Sequence, residues 1–303
     1  MKSLKKLLCV TLCVAFSGAL FAGCSSTQTT TKENKKIGIS ISTLDNPFFV
    51  SIKTGAAKKA KELGYELFVT NSANDSTKER SNIEDLVQQG IGILIVNPVD
   101  SAAVGNAIAV ANDKKIPVIT VDRAADAGTV ISHIASDNVA GGKMAADFIL
   151  KQLGGKGNLV ELQGIPGSSS TNDRGKGFHS GVDGKDGVKV VVSQAADFDR
   201  QKGLTVMENI IQSTPSFNAV FSHNDEMALG AVKALKAANK KVIVVGFDGS
   251  DDAKKAITSG DMAATVAQQP ELMGGMAIEN AVKASKGETL PKSIPVELTL
   301  IKK

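Results

Sequence analysis

The chain has 303 residues, 42% of them hydrophobic, with 35 Lys and Arg against 31 Asp and Glu. Three of those lysines (Lys2, Lys5, Lys6) lie in the first 23 residues; without them 32 basic side chains face 31 acidic ones, and so near a balance argues against nucleic acid as a partner. All three cysteines (Cys9, Cys13, Cys24) precede residue 25, which excludes disulfides and thiol chemistry from the rest, a length sufficient for two lobes with separate cores.

The basic start and the apolar stretch 7–20 lead to Phe21-Ala22-Gly23-Cys24. That is the pattern of a secretory signal peptide over residues 1–23, too short and wrongly flanked for a spanning helix. Cys24 after Ala-Gly, followed by two serines, resembles the lipobox of bacterial lipoproteins, with Phe21 in place of the usual Leu. The resemblance implies a diacylglyceryl thioether on Cys24, anchoring an exported protein to the outer face of the cytoplasmic membrane, or in a periplasm if there is an outer membrane. Residues 24–35 are polar and Thr-rich and read as a flexible tether.

From Ile37 the sequence alternates apolar residues, enters a polar turn (Ser42, Thr43, Asp45, Asn46), and reaches Pro47, Phe48 and Phe49. Proline is preorganised for a first helical position, so this reads strand, turn, helix. It places two aromatic rings beside the carboxyl end of a strand, where open α/β sheets bind ligands. Rings beside amides and hydroxyls suit a sugar, with its apolar face and polar edge; burial as ordinary core is the competing account.

Further β-branched runs follow at 66–71, 92–97, 117–122, 130–135, 158–163, 188–194, 219–222, 242–247 and 263–267. Helical periods fill gaps between them, at 48–63, 78–89, 102–112, 138–153, 202–212 and 226–238. Continuous apolar strands with helical crossovers mean parallel sheets covered on both faces. The fold class is therefore α/β, as two similar doubly wound parallel-sheet lobes. Run after run ends in a polar residue: Asn97, Asp122-Arg123, Asn224-Asp225 and Asp248. Half come from the first part of the chain and half from the second, which fits a cleft between facing lobes better than it fits turn preference alone.

These motifs resemble a known family. Ser42-Thr-Leu-Asp-Asn-Pro-Phe-Phe49, Asn97-Pro-Val-Asp100, Ile119-Thr-Val-Asp-Arg123, Ser132-His-Ile-Ala-Ser-Asp-Asn138, Gln194-Ala-Ala-Asp-Phe-Asp-Arg200, Asn224-Asp-Glu-Met-Ala-Leu-Gly230 and Val245-Gly-Phe-Asp-Gly249 are similar to ribose-binding members of the type 1 periplasmic binding proteins of bacterial ABC importers. The likeness runs from about residue 36 to 303. It implies a three-strand hinge near Ser136–Asp137, Gln268–Gln269 and Glu297–Leu298. The N-terminal lobe would hold 36–136 with 269–297, and the C-terminal lobe 137–268 with 298–303.

The resemblance also implies a ligand set. Phe48 and Phe198 would sandwich a sugar ring with Phe49 alongside, and Asp122 and Asp248 would accept from hydroxyls. Arg123 and Arg174 would donate, while Ser42, Asn46, Asn97, Asn224 and Gln268 complete the set. The implied partners are D-ribose or a similar small sugar, the permease subunits of an ABC transporter, and a chemoreceptor; the carrier would act as a monomer without cofactor or metal. His223, Asn172-Asp173 and Ser168-Ser169-Ser170 depart from the family pattern. Another pentose, an allose-like hexose or a furanose signalling molecule are alternative ligands.

An exported hydrolase and a sugar-responsive regulator are the rival readings. No Gly-x-Ser-x-Gly elbow occurs, and His133, His179 and His223 lack metal-ligand spacing. Asp122 and Asp248 could imitate a glycosidase pair, but Arg123 beside Asp122 is expected to keep that acid ionised. A regulator would need an N-terminal helix-turn-helix module where this chain has its leader.

Overall fold

The structure, a computed structural model, describes residues 34–214 and 216–303. The leader, Cys24 and the tether up to residue 33 lie outside the described residues. The tether was expected to run to Lys35, yet Asn34 Nδ2 already donates to Gly90 O at 2.9 Å and Lys35 O accepts from Glu66 N at 2.8 Å.

The first lobe begins with β1 (Lys36–Ile41), α1 (Pro47–Leu63), β2 (Glu66–Asn71), α2 (Ser76–Gln88), β3 (Ile93–Val96), α3 (Gly105–Asp113), β4 (Val118–Val121) and β5 (Ser132–Ser136). The second contains α4 (Asn138–Gln152), β6 (Gly157–Gln163), α5 (Ser169–Val182), β7 (Val188–Ala195), α6 (Arg200–Ser213), β8 (Ala219–Ser222), α7 (Asp225–Ala237), β9 (Ile243–Asp248), α8 (Asp251–Ser259) and β10 (Ala264–Ala267). The chain then returns to the first lobe with α9 (Pro270–Ser285) and β11 (Ser293–Val296), and finishes on the second with β12 (Thr299–Lys302).

Each lobe has a six-stranded sheet, ordered β11-β5-β4-β3-β1-β2 and β12-β10-β9-β8-β6-β7. All pairings are parallel except β10 with β12. The opening strand of each lobe (β1, β6) sits between the second and the third, so the order reverses there in both sheets. A crevice at that switch point, outside the carboxyl ends of the strands, is where such sheets take ligands.

Local chemistry explains why the elements start where they do. Asn46 caps α1 by accepting from Phe48 N at 2.9 Å, Pro47 is the first helical residue as expected, and Gly64 ends the helix at φ 72°. The third helix starts at Gly105 rather than 102, because Asp100 Oδ1 takes the amides of Ala102 and Ala103 into a preceding turn. The helices α1 and α9 meet through glycine: a Cβ on Gly274 would lie 2.0 Å from the carbonyl oxygen of Ile52. Ile39, Ile52, Met273 and Ile278 fill the core between that helix pair and the first sheet, while Val160, Met207, Met227 and Val244 do so in the second lobe.

Among the described residues three crossings join the lobes, at 136–138, 267–270 and 296–299. Two of them are tied together, since Gln269 Nε2 donates to Glu297 O at 3.2 Å.

Candidate ligand-binding cleft

Between the lobes, at the carboxyl ends of the strands, lies a narrow space lined by Asn46, Phe48, Phe49, Asp122, Arg123, Ser170, Arg174, Phe198, Asn224 and Asp248. Every one of these except Asn46 is buried. Larger recesses open on either side of it, one between Pro47 and the Asp251 turn and the other between Asp45 and Phe198, and Asn46 borders all three spaces.

The lobes contribute similar parts from similar places. The fourth strand of the first lobe is followed by Asp122, at φ 65°; the fourth strand of the second ends in Asp248, at φ 122°. Non-glycine residues held at positive φ are strained, and such strain gathers at binding sites. Each acid is steadied by one amide: Asn97 Nδ2 donates to Asp122 Oδ2 at 3.2 Å, and Gln268 Nε2 to Asp248 Oδ1 at 2.9 Å. Each also faces an arginine without bonding it. Arg123 Nε lies 3.8 Å from Asp122 and Arg174 Nη1 lies 3.8 Å from Asp248, beyond the hydrogen-bond range of about 3.2 Å. The two acids and two arginines thus balance in charge while keeping donors and acceptors to spare.

The guanidinium planes are fixed by aromatic rings and carbonyls. Arg174 lies 3.8 Å above the centre of Phe247, donates through Nη1 to His223 O at 2.6 Å and through Nε to Asn138 Oδ1 at 2.8 Å. Arg123 donates to Pro98 O at 3.1 Å and lies 5.0 Å from the Phe49 centre and 5.3 Å from that of Phe198. Its Nε is buried without a hydrogen-bond partner, as is Gln268 Oε1. Buried polar groups normally find partners, so an orphaned donor on the wall of this space is a group awaiting one.

Phe48 and Phe49 meet edge to face, with centres 5.3 Å apart at 88°, rather than stacked. Phe198, at φ 59°, packs the far end of its ring against Gly164: a Cβ there would come within 2.0 Å of it.

Of the expected ligand residues, Asn46, Phe48, Phe49, Asp122, Arg123, Arg174, Phe198, Asn224 and Asp248 are brought together around one space. Ser42 and Asn97 are not. Asn97 Oδ1 accepts from Ser42 N and Oγ, and its Nδ2 donates to Val121 O and Asp122, which uses the whole capacity of the amide. They stand behind Asp122 and hold it. Gln268 borders the neighbouring recess and reaches the site through Asp248.

The sequence reading missed Ser170 on the wall, Asn138 behind Arg174 and Phe247 beneath it. Of three buried acids near the wall, it missed Glu79 and Glu161 and named Asp225 only as the end of an apolar run. Glu79 Oε1 accepts from Val99 N at 3.0 Å; Glu161 Oε1 bonds His223 Nε2 at 2.9 Å; Asp225 accepts from Thr265 Oγ1 and Ser250 N, both at 2.7 Å. The quoted Asn224-Asp-Glu motif held the signal for Asp225, and His223 as a departure held that for Glu161.

Burial dominates the electrostatics. It raises Asp122 above the ordinary carboxylate range against the pull of Arg123 and Arg174, and raises Asp248 well above it against Arg174. At Asp122, removal from water and the charge of Arg123 thus pull in opposite directions. Burial likewise lowers both arginines. Glu161 goes the other way: burial would raise it, but the bond and charge of His223, with Ser193 behind, bring it down to about 2.

A family model described as "Periplasmic binding protein domain" matches residues 37–289. The chain belongs to this family. It is 53% identical to the ribose import binding protein RbsB of Haemophilus influenzae over 298 residues, covering 98% of this chain and 99% of that protein. Among solved structures it is similar to a Caulobacter myo-inositol binding protein bound to myo-inositol, with a TM-score of 0.86 and 34% identity over 89% of this chain and 94% of that one. A Bacillus halodurans ABC transporter solute binding protein with bound myo-inositol has the same TM-score at 30% identity, over 90% and 96% of the two chains. The two-lobed fold and the carrier class expected from the motifs agree with these likenesses.

Proposed function

We propose that this protein is the extracytoplasmic sugar-binding component of an ABC importer, that it holds D-ribose between its lobes, and that it hands the sugar unaltered to a membrane permease. The observation that supports this best is the walled space itself: aromatic faces, two acids and two arginines converge on it, with Arg123 Nε left unpartnered. C–H faces of a furanose or pyranose meet the rings of Phe48 and Phe198, while hydroxyls bond the spare oxygens of Asp122 and Asp248. Charged partners strengthen those bonds, and a sugar with a missing or inverted hydroxyl strands one of them, which is the source of selectivity. The relatives named for ribose import favour ribose over the other pentoses.

Closure follows from the crossings near Ser136–Asp137, Gln268–Gln269 and Glu297–Leu298 acting as a hinge. Sugar touches both walls only in the closed form, so it shifts the population toward that form, which the permease reads. A diacylglyceryl group on Cys24 keeps the carrier at the membrane, and the tether supplies reach.

The test is calorimetric titration of the purified protein with D-ribose, L-arabinose, D-xylose, D-allose and myo-inositol. Tight one-to-one binding of ribose, with the others weaker, is the expected result. Ribose giving no heat while another member of the panel binds tightly would overturn the ligand and leave the carrier class; silence across the panel would sink both.

A further inference from the structure

We infer that Ser169 and Ser101 are positioning residues: they latch the loop carrying Arg123 to the helix carrying Arg174 and so set the lifetime of the closed complex without touching the sugar. This deepens the carrier reading above and rests on it.

Beyond the crossings and the binding space, the lobes also meet directly where the loops after β3 and β4 face the start of α5. Ser101 and Ala124 belong to the first lobe, on the loops after β3 and β4; Gly167 and Ser169 belong to the second, at the start of α5. Three hydrogen bonds pass between them. Ser101 N donates to Gly167 O at 3.1 Å, Ser169 N donates to Ser101 Oγ at 3.1 Å, and Ala124 N donates to Ser169 Oγ at 2.9 Å. Within the first lobe, Asp126 N donates to Ser101 O at 2.8 Å, so the two loops of that lobe are joined before they reach across.

Backbone shape is fitted to this contact. Gly167 has φ +86°, and a Cβ there would fall 2.1 Å from Asp100 Oδ2, the carboxylate that caps the turn holding Ser101. Only glycine lets the two segments approach so closely. Ser169 reaches out of the first turn of α5 and is not its capping residue, so the helix does not depend on this hydroxyl.

The placement couples the latch to the site. Ala124 directly follows Arg123, and Ser169 stands beside Ser170, which lines the binding space, and on the same helix as Arg174. Joining Ala124 to Ser169 therefore fixes the separation of the two guanidinium groups. Separating the lobes about the crossings breaks all three bonds together, which confines the latch to the closed form. Its contribution appears in dissociation, not in encounter.

The experiment compares wild type, Ser169→Ala, Ser169→Thr and Gly167→Ala by surface plasmon resonance with D-ribose, by thermal unfolding without sugar, and by small-angle X-ray scattering with and without it. Ser169→Ala should release ribose roughly three- to tenfold faster with an unchanged association rate, the scale of one lost hydrogen bond. Its sugar-free melting temperature should equal that of wild type, Ser169→Thr should restore the slow release, and Gly167→Ala should release faster still. In scattering, Ser169→Ala should be less compact than wild type at the same subsaturating ribose. Wild-type release rates in both Ser169→Ala and Gly167→Ala would overturn the latch, as would an effect confined to association. Should wild type bind no ribose, the carrier's ligand is wrong, and the scattering of the sugar-free proteins decides: identical curves for wild type and Gly167→Ala overturn the latch, and a more open variant supports it.

Discussion

Glu79 shows what a single buried acid does behind this site. It is 1% exposed, one oxygen holds Val99 N and the other has no hydrogen-bond partner. Burial raises it to about 7, with Asp100 adding to the rise and Val99 and Arg123 opposing it. A carboxyl raised in the folded state binds its proton more tightly there than when unfolded, so folding stability falls as pH climbs from about 4.5 to about 7. Glu79→Gln keeps an acceptor for Val99 and removes that titration. The variant should gain up to about 3 kcal/mol relative to wild type between pH 4 and pH 8. Paired urea unfolding curves at the two pH values measure it, and a difference independent of pH would count against the burial argument. None of this was legible beforehand: Glu79 sits in a stretch that reads as an exposed, charged helix, and only the tertiary fold puts it under Val99.

Among the elements, legibility followed chemistry. The strands β2 and β8 were bounded correctly because short apolar stretches flanked by polar residues mark strands of a parallel sheet. The strand β11 was not seen as a run, being four residues with Pro295 inside, tolerable because it lies at the sheet edge beside β5 alone. The helix α5 was also missed: Ser-Ser-Thr-Asn-Asp-Arg-Gly-Lys-Gly has weak helical propensity, and close packing on α4 overrides it. A Cβ on Gly142 would lie 2.1 Å from Arg174 O, so the glycine that admits that packing also seats a site arginine. Gly164, after β6, has a comparable role for Phe198. Gly164→Ala must lift the ring, at a cost of about 1–3 kcal/mol. Calorimetry should show ribose affinity lost while circular dichroism stays native; full affinity would mean the ring does not bear on the sugar.

At the scale of the whole molecule, the site is assembled from halves that are each close to neutral, Asp122 with Arg123 and Asp248 with Arg174. That balance was legible in the motifs; the exclusion of Ser42 and Asn97 from the wall was not, because their mutual bonding depends on the register of β1 beside β3. A ligand that bridges both halves and has no affinity for the unfolded chain should stabilise them together. At a hundred times its dissociation constant ribose should add about 2.7 kcal/mol, read as a rise in melting temperature that grows with the logarithm of sugar concentration. No rise at that excess would mean the sugar does not engage the native cleft.

The route of the chain carries a consequence for its assembly. From α4 to β10 the second lobe is contiguous, whereas the first lacks a wall until α9 arrives, since Met273, Ala277, Ile278 and Ala281 complete its core. A polypeptide emerging amino-end first can therefore finish most of its later half while the earlier half still waits with apolar surface uncovered. Export of such a chain calls for protection of its opening segment, not its closing one, until the final thirty or so residues are delivered.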